Sequence, residues 1–306
     1  MCGRLTTGLI CIDYSFGFLG QLCFDRWLDK AAKGSRGWTK RLCTMEEVEE
    51  VKSLCRLMPF WVCGILVSAA LAQKGTLFVL QGATMDNRVF GNRLRIPPSS
   101  MGLFSLLTVV VGAPLYSWVI VPWIQRSLRN KPKEEVSSVE RMGAGLLTAI
   151  SVLFIAALVE SLRLRIAHEQ SWFSMGTEDY DDNKVPLSIF WLVPQYVLEG
   201  CTTVLFGCGH LDFNYTFSPK SMRSLATAIS LSGFAIGNYF SSFIVQGIVS
   251  YTSWIPNDLN RGHLDYFYLL LDVMLLFTFV LFLVFSKWHY KQVSEDVALL
   301  VVGDSD

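Results

Sequence analysis

Long, charge-poor apolar blocks separated by charged segments constrain this chain more than any other feature. Crossing a bilayer takes roughly 20 consecutive, mostly apolar residues. Five blocks reach that length, at residues 57–80, 101–124, 142–162, 225–249 and 267–285. A sixth, at 187–213, has the length but is interrupted by Glu199, His210 and Asp212. Strands usually run 3–10 residues, too short for these blocks. In hydrocarbon every peptide group must be bonded within its own segment, so the blocks read as helices. Composition agrees: 52% of the 306 residues are hydrophobic and 17% charged, against about 25% charged in soluble domains. The expected fold is an all-α, multi-pass membrane protein with six spanning helices between residues 54 and 289. Residues 1–53 read as a cytosolic leader without a signal peptide, and residues 290–306 as a cytosolic tail.

Lysine and arginine in short loops orient such a chain. Arg126, Arg129, Lys131 and Lys133 follow the second block, Lys220 and Arg223 follow the fourth, and Lys287 and Lys291 follow the sixth. With the basic leader, these fall on one side when both ends lie inside. Lys74, Arg88, Arg93, Arg95, Arg163, Arg165, Lys184 and Arg261 count for the opposite side. There the loop from His168 to Lys184 is dominated by Glu169, Glu178, Asp179, Asp181 and Asp182. The acidic run Glu46, Glu47, Glu49, Glu50 suits a helix start, where the macrodipole is positive. The eight cysteines show neither C-x-x-C spacing nor a disulfide framework and read as reduced thiols. The Asn214-Tyr215-Thr216 sequon falls in a loop expected on the basic side.

Several features bear on how the helices pack. Pro59, Pro114, Pro122 and Pro194 lie inside blocks, which membrane helices tolerate when neighbours satisfy the freed carbonyls. Gly233 and Gly237 place two glycines on one face, where another helix can approach closely.

No nucleophile elbow, His-Glu-x-x-His or Gly-rich phosphate loop occurs, which argues against an enzyme. His263 and Asp265 alone do not make a metal site. No concentrated basic patch points to nucleic acid. The expected partner is the bilayer, and no cofactor is expected.

From Asp29 onward the chain resembles the C-terminal half of the plant nitrate transporter 1/peptide transporter family. These are proton-coupled oligopeptide transporters of the major facilitator superfamily. The matching strings run in family order: Arg56-Leu57-Met58-Pro59-Phe60-Trp61, Phe78-Val79-Leu80-Gln81-Gly82, Met85-Asp86, and Ile96-Pro97-Pro98. Pro186-Leu187-Ser188-Ile189-Phe190-Trp191, Pro194-Gln195-Tyr196, Met222-Arg223-Ser224, Gly237-Asn238-Tyr239 and Gly262-His263-Leu264-Asp265-Tyr266-Phe267 follow. The resemblance implies a six-helix bundle equivalent to helices seven to twelve of a transporter. In that superfamily the site lies between two six-helix halves. The family's Glu-x-x-Glu-Arg coupling signature, carried by its first helix, is absent from the spanning segments. The other wall would come from a second six-helix half or a full-length relative. The resemblance allows nitrate, small peptides or plant metabolites as substrates, in the plasma or vacuolar membrane. A transport-inactive truncated product is the alternative.

Ionisable groups within spans are costly and by default functional. Glu199, near the middle of the fourth block, is the leading candidate for proton coupling. The resemblance puts the family's usual glutamate one turn further on, at Thr203, on the same helix face. The family cavity also implicates Gln73, Asn238 and Tyr239. Gln73 serves equally as an interhelical hydrogen bond, and Asn238 reads more readily as a packing contact than as a ligand. Glu160 and Arg163, three apart, are expected to pair, and Asp272 to reach water or a polar neighbour. His210 is expected at a helix end.

Overall fold

The computed structural model describes residues 45–89, 94–122, 138–173, 184–256 and 259–303. The leader before residue 45, the basic residues Arg126, Arg129, Lys131 and Lys133, and the acidic residues Glu178, Asp179, Asp181 and Asp182 lie outside the described residues.

Six helical segments are long and apolar enough to cross a membrane: Val48–Ala83, Pro98–Ile120, Ser138–Glu169, Ile189–Phe217, Lys220–Tyr251 and Leu264–Lys291. They are called here the first to the sixth span. The chain is therefore an integral, multi-pass, all-α membrane protein. Its helices are α1 (Met45–Leu71), α2 (Leu77–Ala83), α3 (Gly102–Leu115), α4 (Ser138–Phe173), α5 (Val193–Thr202), α6 (Cys208–Phe217), α7 (Arg223–Tyr251) and α8 (Leu264–Gly303). The acidic run at 46–50 occupies the opening turns of α1, as the macrodipole favours.

Three spans are not continuous α-helices. The first breaks into a 3-10 turn at Ala72–Gly75 before resuming as α2. The second ends, and the fourth continues, through π-helical turns at Tyr116–Ile120 and Thr203–Gly207. Pro194 opens α5 rather than interrupting a helix, as its fixed φ and missing N–H allow. α6 runs on to Phe217, so Asn214-Tyr215-Thr216 is helical, not a loop. Asn214 is buried and donates to the His210 carbonyl, 2.8 Å away.

Successive spans alternate in direction, and side-chain contacts tie each end. At the near end Glu50 accepts from Ser221, and Ser138 donates to Asp212 at 2.8 Å. At the far end the two-residue strand β1 (Met85–Asp86) pairs in parallel with β4 (Val185–Ser188). β2 (Arg88–Val89) pairs with β3 (Leu94–Arg95) in a small antiparallel ribbon.

The third span is packed against the fourth and sixth, and the fifth lies along the first. Glycines set the closest approaches. A Cβ on Gly233 would meet the Trp61 indole at 2.8 Å, and one on Gly237 the Ile65 carbonyl at 2.5 Å. The Gly-x-x-x-Gly pair therefore works as a seam between the fifth and first spans. The core between the spans is apolar, built on residues such as Phe60, Met142, Leu146, Phe206, Phe213 and Phe282.

Burial is uneven among the spans. Half of the most apolar stretch of the third and of the fourth span is buried, but only 11% of the second and 22% of the fifth. The second span packs chiefly on the fourth, and the fifth on the first and on α6. These two weakly covered spans flank a face formed between the first and fourth.

Candidate functional site

The charged cluster on that face begins with a glycine. A Cβ at Gly200 would lie 2.6 Å from the Thr108 Cβ and 2.7 Å from the Ser105 carbonyl. Only a residue without a Cβ lets the second and fourth spans touch here. The contact brings Ser105 against Glu199, which sits one residue before the glycine. The Ser105 hydroxyl donates to Glu199 Oε2. Thr203, one turn along, donates to Oε1 at 3.2 Å.

The third partner comes from the break in the first span. Lys74 lies in the 3-10 turn Ala72–Gly75 rather than in a loop beyond the span. It is therefore not a loop charge, and its ammonium folds against the fourth span. Lys74 Nζ lies 2.9 Å from Glu199 Oε1 and 3.4 Å from Ser105 Oγ. The carboxylate side chain is 4% exposed and the lysine side chain 40%. Glu199 thus has an ammonium and two hydroxyl donors, as a buried carboxylate requires. Lys74 keeps one side open to whatever faces the bundle.

The π turn Thr203–Gly207 follows immediately. Such turns leave backbone carbonyls without their usual partners and recur at functional sites. Arg141 of the third span donates to the Val204 carbonyl at 2.9 Å, and its guanidinium stacks 4.5 Å from the centroid of Tyr116. One side chain therefore braces both π turns. Gly145 makes this possible, since a Cβ there would collide with the Phe206 backbone.

The structure brings Glu199 and Thr203 together and separates them from the other sequence candidates. Gln73 is fully buried and donates to Ser241 Oγ at 2.7 Å, linking the first and fifth spans. That is the interhelical contact the sequence allowed as an alternative. Asn238 is exposed and donates to the Phe234 carbonyl of its own helix at 2.8 Å. Tyr239 is also exposed. Both stand on the uncovered face but touch neither Glu199 nor Lys74 in any hydrogen bond among the described residues.

Lys74 and Ser105 were missed as site residues. A lysine inside one apolar block and a glutamate inside another is the signal that could have found the pair, since each is costly alone in lipid.

Other titratable groups have separate roles. His210 lies inside the fourth span, two turns before its end. Its ring is stacked 5.8 Å from Phe206 and packed 3.0 Å from the position a Gly64 Cβ would take. The expected helix-end position is therefore wrong, because α6 runs on to Phe217. Glu160 and Arg163 form the expected pair, with Nη2 2.6 Å from Oε1 and both side chains fully buried. Asp272 is buried, and its Oδ1 has no donor among the described residues. His263 Nδ1 and Asp265 Oδ1 are 3.9 Å apart. No group of three or more metal-ligating side chains occurs among the described residues.

Comparison with known proteins places this architecture. Residues 25–260 match the model of the POT family. The chain is 38% identical over 271 residues to Protein NRT1/PTR FAMILY 8.2 of Arabidopsis thaliana, covering 86% of this chain and 45% of that protein. It is 38% identical over 259 residues to Protein NRT1/PTR FAMILY 8.1 of the same plant, covering 82% and 44%. Among solved structures it resembles the POT family transporter PepTSo, with a TM-score of 0.62 at 17% identity over 82% of this chain and 45% of that one. An auto-inhibited POT family peptide transporter matches with a TM-score of 0.54 at 19% identity, over 79% and 42%. The chain thus spans a little under half the length of these relatives.

Proposed function

The chain belongs to the POT family, and from that premise we propose that it forms one six-helix half of a proton-coupled solute transporter. Members of this family are transporters rather than enzymes. Half-length coverage of the relatives supports the reading of one half, because the superfamily holds its solute between two such halves. The solute belongs to the class of nitrate, small peptides or plant metabolites.

The observation that carries the coupling proposal is the Lys74–Glu199 pair. A buried carboxylate facing a half-open ammonium is a two-state element. With Glu199 ionised, Lys74 is held against it. Once Glu199 takes a proton, the attraction is lost and the ammonium turns to an acidic group of the solute. One proton and one solute charge are then bound together. Ser105 and Thr203 keep the carboxyl in place in both states, since hydroxyls both donate and accept. Gln73 serves the site by fixing the first span against the fifth, and Asn238 and Tyr239 by lining the approach.

The test is uptake in oocytes across a panel of nitrate, dipeptides and plant metabolites, in acidic and neutral medium. The chain is co-expressed with the amino-terminal six helices of a relative. Wild type is expected to give uptake that rises with acidity. Glu199→Gln is expected to flatten that dependence, and an unchanged pH profile would remove Glu199 from the coupling step. Uptake by the 306-residue chain expressed alone that never exceeds water-injected controls would reject autonomous transport. A second reading, a transport-inactive form that modulates full-length relatives, is favoured by the same half-length coverage. It predicts altered uptake by a co-expressed intact relative.

A further inference from the structure

Resting on the reading of Glu199 as the coupling carboxyl, we propose that bound water fills a sealed polar layer beside it. That water gives Glu199 a proton route through the interior of this half, separate from the uncovered face.

Three observations carry this. First, four buried polar atoms share one layer of the bundle. Gln81 of α2 and Gln195 of α5 are fully buried and face each other, with Gln195 Nε2 3.5 Å from Gln81 Oε1. Their other amide atoms, Gln81 Nε2 and Gln195 Oε1, have no partner among the described residues. Neither do the hydroxyls of Tyr196 and Tyr268, whose side chains are buried. Phe78, one turn before Gln81 on α2, packs edge-on against both tyrosine rings, at 5.8 and 5.5 Å. The first, fourth and sixth spans thus enclose the four atoms together.

Second, the chemistry of the set selects water. Buried polar atoms are almost always hydrogen-bonded. Here the orphans are one amide donor, one carbonyl acceptor and two hydroxyls that do both. They carry no net charge for an ion to neutralise. Internal water makes about three bonds to groups of this kind.

Third, the layer joins two ionisable sites. Gln195 and Tyr196 stand four and three residues before Glu199, so both flank it on one helix side. Tyr196 is within electrostatic reach of Glu199. Tyr268 is within such reach of Tyr196 and of the Glu160–Arg163 pair. Ser105 is the one donor to Glu199 Oε2 among the described residues, which leaves that oxygen a lone pair for water.

The transfer is a relay. A proton enters beside Tyr268. Each water and tyrosine hydroxyl gains a proton on one side and releases one on the other, and the last proton lands on Glu199 Oε2. Every relay group ends as it began, while the Glu199 carboxylate becomes a carboxyl. The glutamines hold the water and carry no proton. Neutral Glu199 then releases Lys74 toward the uncovered face, so proton and solute reach the pair from different sides.

The experiment has two arms. In the first, the full chain in nanodiscs is exposed to X-ray-generated hydroxyl radicals, which oxidise a buried side chain where water stands beside it. Tyr196 and Tyr268 are expected to label several-fold more than Phe60 and Phe282, buried rings of the apolar core, after correction for intrinsic reactivity. Gln195→Met, which removes the acceptor, is expected to lower labelling at both tyrosines. Tyrosines that label no more than Phe60 and Phe282 would overturn the proposal. In the second arm, Tyr268→Phe removes one hydroxyl and keeps the ring, in the chain paired with an amino-terminal half. The readout is the ratio of acid-driven uptake to solute exchange at equal pH, which is expected to fall several-fold. An unchanged ratio in a protein that labels would mean structural water only and would overturn the route. Dry tyrosines with acid-driven uptake intact would sink the route and leave the Glu199 reading standing. Wet tyrosines with wild-type uptake indifferent to pH would sink the Glu199 reading, and the route with it.

Discussion

Lys74 and Glu199, 125 positions apart in the chain, meet at 2.9 Å because a break in one span faces a glycine contact in another. The pair is an energetic unit, and this can be measured apart from transport. Lys74→Met removes the ammonium and leaves a buried carboxylate with two hydroxyls. Breaking a fully buried pair costs roughly 3–5 kcal/mol. Lys74 is 40% exposed, so solvent screening lowers the expected loss to roughly 1–3 kcal/mol. Combining Lys74→Met with Glu199→Gln should restore part of that loss. A thermal-stability cycle of the four proteins in detergent checks it, and strictly additive losses would show that the two groups do not interact.

Gly200→Ala tests how the cluster is assembled. The added methyl meets the Ser105 carbonyl at 2.7 Å, and a backbone atom cannot swing aside as a side-chain tip can. The second and fourth spans must move apart, and overpacking of this kind costs typically 1–3 kcal/mol. Gly247→Ala is the control, since nothing lies within 4 Å of a Cβ there. It should be neutral or stabilise by up to about 1 kcal/mol through helix propensity. Comparable melting points for the two variants would contradict the close contact.

Arg141 is expected to be intolerant of lysine. Its planar guanidinium both stacks on Tyr116 and donates to the Val204 carbonyl, two tasks that a point-charge ammonium cannot perform together. Arg141→Lys should destabilise by about 1–3 kcal/mol, because the ammonium can keep only one of the cation–π contact and the charged hydrogen bond. Tyr116→Phe keeps the ring face and should cost less. Reversal of that order in melting temperature would show that the brace across the two π turns is not what Arg141 supplies.

What was legible in the sequence was whatever depends on local chemistry. Apolar blocks mark spans because lipid forbids unpaired peptide groups, and Glu199 stands out because it interrupts such a block. Gly233 and Gly237 announced a seam because their spacing puts them on one face. Glu160 and Arg163 were readable because three residues make helix neighbours. The partners of Glu199 were not readable, since Ser105 and Lys74 reach it only through the register of three separate spans. Lys74 also looked like a loop charge, because a 3-10 break inside an apolar block leaves no strong sequence signal. The π turns were hidden for the same reason: Thr203–Gly207 carries no proline to announce it. Asn238 and Tyr239 show the converse failure. A polar residue in a span indicates a polar neighbour, not which one, and Asn238 finds its neighbour one turn back on its own helix.

The far end of the bundle depends on Arg163, and its loss should be felt at a distance. The guanidinium is fully buried and holds both oxygens of Glu160, at 2.9 and 2.6 Å. It also reaches Asn260 Oδ1 at 2.6 Å and the Leu259 carbonyl at 3.3 Å. It thereby pins the turn between the fifth and sixth spans to the third. Arg163→Met strands the Glu160 carboxylate in an apolar site, which costs roughly 3–5 kcal/mol. The double change Glu160→Leu with Arg163→Met removes the stranded charge and should regain most of that stability. It cannot restore the tie to the turn. Hydrogen exchange at residues 259–261 should therefore rise in both variants, while the melting temperature falls steeply only in the single one. If the double variant melted as low as the single, the loss would come from packing around the arginine stem and not from the abandoned carboxylate.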